Sequence, residues 1–274
     1  MRSRACGRKR LDVLLAWGMR KIEYLESAQN PRVKLWLGLA EPRAIRKSGR
    51  FLLAGRKTVP EALSRWPGQF EALIATDEAA LEDPAIPDEL ARILVPKAIF
   101  ERLDLSGTGH ALLVGLVPEM PRTDLSAAPQ GLELVCALSD PNNLGALIRS
   151  AAAFNVSRLI LMPECAHPFH PRALRAGSNA VFELRLETAS SWEALNTAQG
   201  SIFALDGHGT DMTTFDWPAD LRLVLGEEGR GVPDSLKMKR LSIPTSGKVE
   251  SLNAMAAASI ALSQFFLSRR KAGM

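Results

Sequence analysis

The 274-residue sequence contains few cysteines and no long uninterrupted apolar segment. Its three cysteines, Cys6, Cys136 and Cys165, are odd in number and widely spaced, which argues against a disulfide framework and favours reduced thiols inside the cell. The most apolar stretch, residues 254–267, is interrupted by two serines and a glutamine, so it does not resemble a membrane span. The composition therefore predicts a soluble, cytoplasmic protein without a membrane partner.

Several common catalytic signatures are also missing. No strand-like segment leads into Gly-x-Ser-x-Gly, so nothing indicates a Ser-His-Asp hydrolase. The glycine-rich segment 223–233 matches neither the dinucleotide fingerprint nor the Walker pattern, and its two adjacent glutamates would repel phosphate. Cys165, His167 and His170 lie close together, but prolines interleave them and no fourth ligand is suitably spaced. We therefore predict no zinc site and no other metal.

Positive charge is concentrated at one end of the chain. The first 60 residues carry fifteen Lys and Arg against four acidic residues, a net charge of +11, whereas the whole chain is only +4. This distribution indicates a polyanionic partner, of which nucleic acid is the commonest, although a solvated surface is the alternative. Residues 1–18 form a basic extension that we expect to be poorly ordered. That extension resembles the start of a targeting peptide, or follows from a start codon assigned upstream of Met19.

The apolar pattern predicts two α/β domains. Short strand-like runs alternate with helical segments over residues 19–118, as in a compact α/β domain. Residues 119–131 are rich in proline and small residues and are typical of a linker. Within residues 132–274, apolar runs at 132–138, 159–162, 202–205, 221–225 and 241–243 predict a mostly parallel, doubly wound sheet. Ligands of such sheets bind beyond the carboxyl ends of the strands.

Residues 139–155 place two amides and one arginine where a strand is followed by a helix. The preceding run, 132–138, is almost continuously apolar, as expected of a buried parallel strand. The sequence Asp-Pro-Asn-Asn at 140–143 then ends the strand and offers helix-capping side chains. The next apolar residues recur at helical spacing, and Arg149 lies off that buried stripe. This junction is a candidate active site.

Two further strand ends carry unusual residues. Segment 223–233 contains three glycines around two carboxylates, so its backbone can turn tightly and admit a ligand closely. Segment 243–253 ends with Ser251 and Asn253 and leads into a helix that is apolar around most of its circumference. Such a helix fits burial against other helices or a second subunit. Taken alone, Ser251 and Asn253 are equally well explained as helix caps.

Together these three segments resemble the motifs of the SpoU (TrmH) family of RNA ribose 2′-O-methyltransferases, within the SPOUT superfamily. Motif one covers residues 140–151, motif two covers 225–231 and motif three covers 243–253. Residues 30–34 and 51–55 also look like part of the ribosomal-protein-like α/β domain that precedes the catalytic domain in many ribosomal RNA members. The resemblance implies a trefoil-knotted catalytic domain, a rare exception to the rule that chains avoid knots.

The same resemblance implies S-adenosylmethionine as cofactor and RNA as substrate, most plausibly ribosomal RNA of the large subunit. It assigns the cofactor to a pocket formed by backbone groups of Gly226, Ile243 and Leu252, with Leu205 at a nearby strand end. It also implies a homodimer, because the knot and the last helix form the subunit interface in this family. Each site would then borrow residues from the other subunit.

The catalytic residues implied by the resemblance are Asn143, Arg149, Glu228, Ser251 and Asn253. Arg149 would act near the ribose 2′-hydroxyl, a weak nucleophile whose proton must be taken or polarised. Asn143 would position Arg149 or the ribose, and Glu228 would orient the arginine or support motif two. The two motif-three residues would organise the far side of the site.

Two other functions remain open at this level. A tRNA 2′-O-methyltransferase is the first alternative, although compact tRNA members usually lack so large an N-terminal domain. A non-catalytic RNA-binding protein is the second, and the presence of Arg149 and Asn253 disfavours it.

Overall fold

The computed structural model describes residues 21–271, so the predicted basic extension 1–18 lies outside the described residues. The described chain divides into two compact units: residues 21–38 with 52–116, and residues 39–51 with 117–271. The units therefore interleave in sequence, whereas the sequence analysis placed a single boundary at the linker 119–131. No helix within the described residues is both long and apolar enough to cross a membrane.

The first unit is built on a five-stranded mixed sheet. Its strands are β1 (Ile22–Tyr24), β2 (Arg50–Leu53), β3 (Phe70–Ala75), β4 (Ala91–Leu94) and β5 (Leu112–Leu116), in the order β1-β4-β3-β5-β2. β1 and β3 run parallel to β4, and β5 runs antiparallel to β3. The helices in this part of the chain are α1 (Pro31–Gly38), α2 (Pro42–Ser48), α3 (Thr58–Arg65) and α4 (Lys97–Leu103), of which α2 belongs to the second unit.

The second unit is built on a six-stranded sheet in the order β11-β9-β10-β6-β7-β8, and every neighbouring pair is parallel. Its strands are β6 (Leu132–Cys136), β7 (Arg158–Leu161), β8 (Leu186–Thr188), β9 (Ile202–Asp211), β10 (Leu221–Leu225) and β11 (Lys239–Ser242). The helices that follow are α5 (Pro141–Ala153), α6 (Pro171–Gly177) and α7 (Ala254–Lys271). The predicted α/β class with a parallel catalytic sheet is confirmed. The trefoil knot and the ribosomal-protein-like character of the N-terminal domain stay predictions.

The short strand β8 was not predicted because it lacks an apolar run. It has three residues, and Glu187 at its centre is buried. Strand formation is here decided by pairing with β7 and by the ionic partners of Glu187, neither of which is visible in a local apolar pattern.

A buried ionic network joins four strands near their amino ends. Arg222 donates to Glu133 at 2.7 Å, Arg158 donates to the same carboxylate at 2.9 Å, and Arg158 also donates to Glu187 at 2.8 Å. Arg222 is fully buried and uses its remaining donors on the carbonyl oxygens of Gln199 and Ala127. Because each buried charge lies against at least one opposite charge, the network ties β10, β6, β7 and β8 together at the end of the sheet opposite motifs one and two.

The predicted linker 119–131 is packed against the second unit. The amide of Thr123 donates to the carbonyl of Thr188 at 2.9 Å, and the amide of Thr188 donates to Pro121 at 2.9 Å. Leu125 is 7% exposed and belongs to the apolar core of this unit. The segment therefore runs along the β8 edge of the sheet and covers part of it.

Helix α5 packs closely against α6 because Gly145 has no side chain. An added Cβ at Gly145 would clash with the carbonyl oxygen of Ala173 and lie 2.8 Å from the Cβ of Ala176. This glycine fixes α6 beside the helix that carries motif one.

Candidate active site

The three motifs meet at one cavity at the carboxyl end of the parallel sheet. Motif one follows β6 and motif two follows β10, which are neighbouring strands although more than 70 residues separate the motifs in sequence. Motif three follows β11, two strands further along the sheet. Parallel strands end at a common edge, so their following loops converge there. The cavity has a volume of about 730 Å³.

Eight of the nine predicted site residues line this cavity: Asn143, Leu205, Gly226, Glu228, Ile243, Ser251, Leu252 and Asn253. Arg149 is the exception. It lies on the exposed face of α5, six residues beyond Asn143, or roughly 9 Å along the helix axis. Its guanidinium makes no hydrogen bond or ion pair with another residue of the described range 21–271. Arg149 is therefore available to a partner outside its own cavity.

Motif one is held by a capping residue. The Asp140 carboxylate accepts hydrogen bonds from the amides of Asn142 and Asn143, each at 2.9 Å, and Pro141 occupies the first helical position. This cap begins α5 at Pro141 and presents the Asn143 side chain to the cavity. The amide nitrogen of that side chain donates to Glu228 Oε1 at 2.8 Å.

The Asn143–Glu228 hydrogen bond joins motif one to motif two across 85 residues of sequence. A hydrogen bond to a carboxylate is stronger than one between neutral groups. The sequence analysis offered Glu228 either Arg149 or the motif-two loop as its partner. In the structure the partner is Asn143, so the bond fixes the loop relative to α5.

Motif two is a tight loop whose shape depends on glycine. The amide of Glu227 donates to the carbonyl of Gly231 at 3.0 Å, and the amide of Gly231 donates back at 2.9 Å. Gly229 and Gly231 have φ angles of 89° and 68°, which side chains rarely adopt. At Gly226 an added Cβ would collide with the backbone of Gly231 and Val232. These constraints leave the backbone open to a ligand on the cavity side.

Motif three ends in a helix cap. Asn253 Oδ1 accepts hydrogen bonds from the amide of Met255 at 2.9 Å and from that of Ala256 at 3.4 Å, so Asn253 caps α7. Ser251 is exposed at the cavity. Asn253 thus caps the helix, as one of the two sequence interpretations expected, and it also lines the cavity.

Six polar or charged cavity residues were not predicted as site residues: Asp206, His208, Glu227, Arg230, Thr245 and Glu250. Asp206 follows Leu205 on β9, and its position after a buried run was the sequence feature that could have revealed it. Burial tends to raise the pKa of Asp206, but hydrogen bonds from the His208 amide and the Arg240 guanidinium outweigh burial and hold that pKa below its usual value. Asp206 is therefore a carboxylate at neutral pH.

The histidines considered as zinc ligands have structural contacts instead. His167 Nδ1 accepts from the amide of Phe169 at 3.2 Å, and His170 Nδ1 accepts from the amide of Arg172 at 3.2 Å and so caps α6. Burial lowers the pKa of His167 to about 4, with a further lowering from the positive charge of Arg46. Within residues 21–271 no three His, Cys, Asp or Glu side chains are grouped as metal ligands.

A parallel α/β sheet with a glycine-shaped cavity at its carboxyl edge is typical of α/β proteins that bind a ligand beyond the ends of their strands. Comparison with known proteins makes this class specific. Residues 133–263 match the sequence model of the SpoU rRNA Methylase family. The chain belongs to the SpoU family.

Two similar proteins carry ribosomal RNA methyltransferase names. One from Syntrophobacter fumaroxidans, named ribosomal RNA small subunit methyltransferase G 2, is 39% identical over 246 residues, which is 89% of this chain and 49% of that protein. This chain thus spans about half of that relative's length. A second relative, from Bacillus subtilis, is named 23S rRNA (guanosine(2553)-2′-O)-methyltransferase RlmP. It is 29% identical, and the match covers 87% of this chain and 97% of that protein.

Solved structures share the fold. The crystal structure described as an AdoMet-bound rRNA methyltransferase from Sinorhizobium meliloti superposes with a TM-score of 0.73 at 23% identity, covering 91% of this chain and 98% of that one. The SpoU methyltransferase AviRb from Streptomyces viridochromogenes, in complex with AdoMet, superposes with a TM-score of 0.71 at 22% identity, covering 89% and 99%. The likeness extends over both units of the chain.

Proposed function

We propose that the protein is an S-adenosylmethionine-dependent RNA ribose 2′-O-methyltransferase that acts on ribosomal RNA, preferably of the large subunit. The observation that carries this proposal is that residues of all three motifs line one cavity. The Asn143–Glu228 hydrogen bond joins motif one to motif two there. RlmP, which matches over 97% of its own length, is named for the same reaction on 23S rRNA and supports the large-subunit preference.

The charge of the cavity fits the cofactor. S-adenosylmethionine carries a sulfonium and an ammonium against one carboxylate, so it has a net positive charge at neutral pH. The cavity is lined by the four carboxylates Asp206, Glu227, Glu228 and Glu250, and by the single guanidinium of Arg230. Such a negative lining attracts a cationic ligand. The backbone at Gly226, Ile243 and Leu252 would hold the adenine, since these three residues line the same cavity.

The cofactor would supply an electrophilic methyl group on its sulfonium sulfur. The protein's task is to hold the ribose oxygen in line with that methyl group and to polarise its O–H bond. The guanidinium of Arg149 offers five donors and no acceptor, so it would stabilise the oxygen or an adjacent phosphate by donating hydrogen bonds. Asn143 would position the ribose or the arginine. Ser251 and Asn253 would organise the opposite wall.

A homodimer would bring Arg149 to a cavity. Ile260 and Leu267 of α7 are 39% and 44% exposed and lie seven residues apart, so they share one face of the helix. A second copy packed on this apolar face would bury it, and Arg149 of each protomer would then serve the partner's cavity. Arg149 does not line the cavity of its own protomer, which supports this arrangement.

Mixed dimers test the shared site. Arg149→Ala and Gly226→Val are each expected to be inactive, the first through loss of the catalytic donor and the second through closure of the cofactor cavity. If sites are shared, a mixed dimer contains one cavity that is intact and receives an intact Arg149, so mixing restores methyl transfer. Failure to restore activity in dimers shown to be mixed by mass spectrometry would mean that each protomer is self-sufficient.

The reaction itself is tested by incubating the protein and labelled S-adenosylmethionine with ribosomal RNA and tRNA from a strain that lacks the gene. Nuclease digestion and nucleoside mass spectrometry then identify the product. A 2′-O-methylnucleoside in 23S rRNA alone is the expected result. Label in tRNA alone would favour a tRNA methyltransferase, and cofactor binding without label in any RNA, including assembly intermediates, would favour a non-catalytic RNA-binding protein.

Three further properties belong to the same proposal. Residues 19–118, with their basic segment, would dock ribosomal RNA. The catalytic unit would contain the trefoil knot of its family. A cytoplasmic location would follow from ribosomal RNA as the substrate.

A further inference from the structure

Five exposed cations lie on two short helices of the second unit: Arg43, Arg46, Lys47, Arg172 and Arg175. We name them the α2/α6 basic strip. None of the five forms an ion pair with another residue of the described part of the chain. Surface cations without carboxylate partners keep their full charge for an external anion.

The buried faces of the two helices turn these cations outward. On α2, Ile45 is completely buried, so the basic residues at the remaining positions face solvent. On α6, Ala173 and Leu174 are buried, and Arg172 and Arg175, three residues apart, share the outer face. The sequence analysis recognised the charge of residues 39–51 but placed it in the N-terminal domain, whereas the fold places it in the unit that carries the cavity.

His170 holds the two helices together. It caps α6 through Nδ1, and its Nε2 lies 3.1 Å from the carbonyl oxygen of Ala40, two residues before α2 begins. Burial is the main reason why the pKa of His170 is lowered, and the nearby charge of Arg172 adds to it, while Glu41 and Asp140 oppose it. Arg46 acts in the same direction on the neighbouring His167. Cations of both helices therefore surround one buried histidine pair.

The strip borders the candidate active site through α6. Gly145 of α5 contacts α6 so closely that no side chain fits between them. Asn143, which lines the cavity, is two residues before Gly145, and Arg149 is one turn after it. Helix α6, which carries Arg172 and Arg175 on its exposed face, is thus a direct neighbour of the helix that presents motif one.

We propose that the α2/α6 basic strip binds the phosphate backbone of the RNA substrate beside the nucleotide that enters the active site. This inference rests on the proposed function and adds a docking surface on the catalytic unit itself. Four of the five cations are arginines, whose planar guanidinium matches phosphate oxygens in a bidentate way. Phosphate contacts of this kind set the position of an RNA without reading its sequence.

Matched pairs of charge-neutralising variants test the strip in the full-length protein. One strip variant is Arg172→Gln with Arg175→Gln, and the other is Arg43→Gln with Arg46→Gln. The control is Lys237→Gln with Lys239→Gln, which removes two exposed charges near β11, at the other edge of the same sheet. Binding to protein-free bacterial ribosomal RNA is measured between 50 and 200 mM salt, and binding of S-adenosylmethionine is measured by calorimetry.

Each strip pair should lower the slope of log affinity against log salt by about 1.5, since each lost phosphate contact removes roughly 0.7 to 0.9. The cofactor dissociation constant should stay within about twofold, and Arg172→Lys with Arg175→Lys should keep most of the slope because the charge remains. The control pair should change the slope by less than half as much.

Each other outcome overturns the inference in an identifiable way. Unchanged RNA binding by both strip pairs would leave the strip to an acidic protein partner, and an equal loss in the control pair would mean that only total charge matters. Loss of RNA binding in the lysine pair would show that charge is not the determinant. If the unaltered protein binds S-adenosylmethionine but no RNA, the proposed function itself fails together with the strip.

Discussion

Replacing Gly226 by alanine is the most direct test of how motif two shapes the cavity. The added Cβ would lie 2.1 Å from the carbonyl carbon of Gly231 and 2.4 Å from the amide nitrogen of Val232. Ordinary carbon contacts begin near 3.5 Å, so the loop would have to move by roughly 1.4 Å. The atoms it meets are backbone, which the reciprocal Glu227–Gly231 hydrogen bonds hold in place. The clash therefore cannot be relieved by rotating a side chain.

The expected cost can be translated into affinity. Overpacking of a well-ordered region costs about 1–3 kcal/mol. If the cofactor binds only to the undistorted loop, that cost appears in binding and raises the dissociation constant of S-adenosylmethionine by about 5-fold to 150-fold. Isothermal titration calorimetry measures this constant directly, and methyl transfer at saturating cofactor would report whether the loop also affects catalysis.

Gly68→Ala is the matched control, because an added Cβ there meets no atom within 4 Å and the backbone is unstrained. It should bind the cofactor as the unaltered protein does. The reasoning is refuted if Gly226→Ala also binds S-adenosylmethionine normally and unfolds at the same temperature, since the close approach of the two backbone segments would then not shape the cavity.

Three further predictions concern the buried ionic network, the pH dependence of stability and the Asn143–Glu228 hydrogen bond. Glu133→Gln removes the only carboxylate partner that the buried Arg222 has within residues 21–271 and one of the two partners of Arg158, so the free energy of unfolding measured in urea should fall by about 3–5 kcal/mol. A loss below 1 kcal/mol would contradict this view. The pKa of His167 is about 4 in the folded protein, below the ordinary 6.5, so as the pH falls the imidazole is protonated in the unfolded chain before it is protonated in the folded one. The free energy of unfolding should therefore fall by about 3 kcal/mol from pH 6.5 to pH 4. His167→Asn, which keeps an acceptor for the Phe169 amide, should flatten that decline in urea titrations, and an unchanged decline would contradict the assignment. Asn143→Ala removes the bond to Glu228 and should slow methyl transfer at least tenfold while changing the urea midpoint little; full activity would exclude a positioning role.

Much of the fold followed from local apolar patterns. The strand β10 was predicted with its observed bounds, 221–225, because a buried parallel strand is a nearly continuous apolar run. Strand β8 was not predicted because the residues that stabilise it are distant in sequence. Helix α2 was not predicted for a similar reason. Its seven residues are mostly polar, and it is held in place by one buried isoleucine, Ile45, and by the contact between Ala40 and His170.

The candidate site was predictable as a list of residues but not as an arrangement. Motif residues stand out because strand ends with glycine, amide and carboxylate groups are unusual in an apolar sequence. Their contacts depend on strand order: Asn143 meets Glu228 because β6 and β10 are adjacent, and Asp206 enters the cavity because β9 is next to β10. No local pattern encodes those adjacencies.

By itself the sequence determined the α/β class, the parallel catalytic sheet and the resemblance to the SpoU family, because these depend on short-range periodicity and on residues close together in the chain. Only the tertiary structure decided that Glu228 pairs with Asn143, that Arg149 does not line its own cavity, and that residues 39–51 join the catalytic unit. The physical reason is that hydrogen bonds and packing act over a few ångströms in space, and folding alone decides which distant residues come within that range.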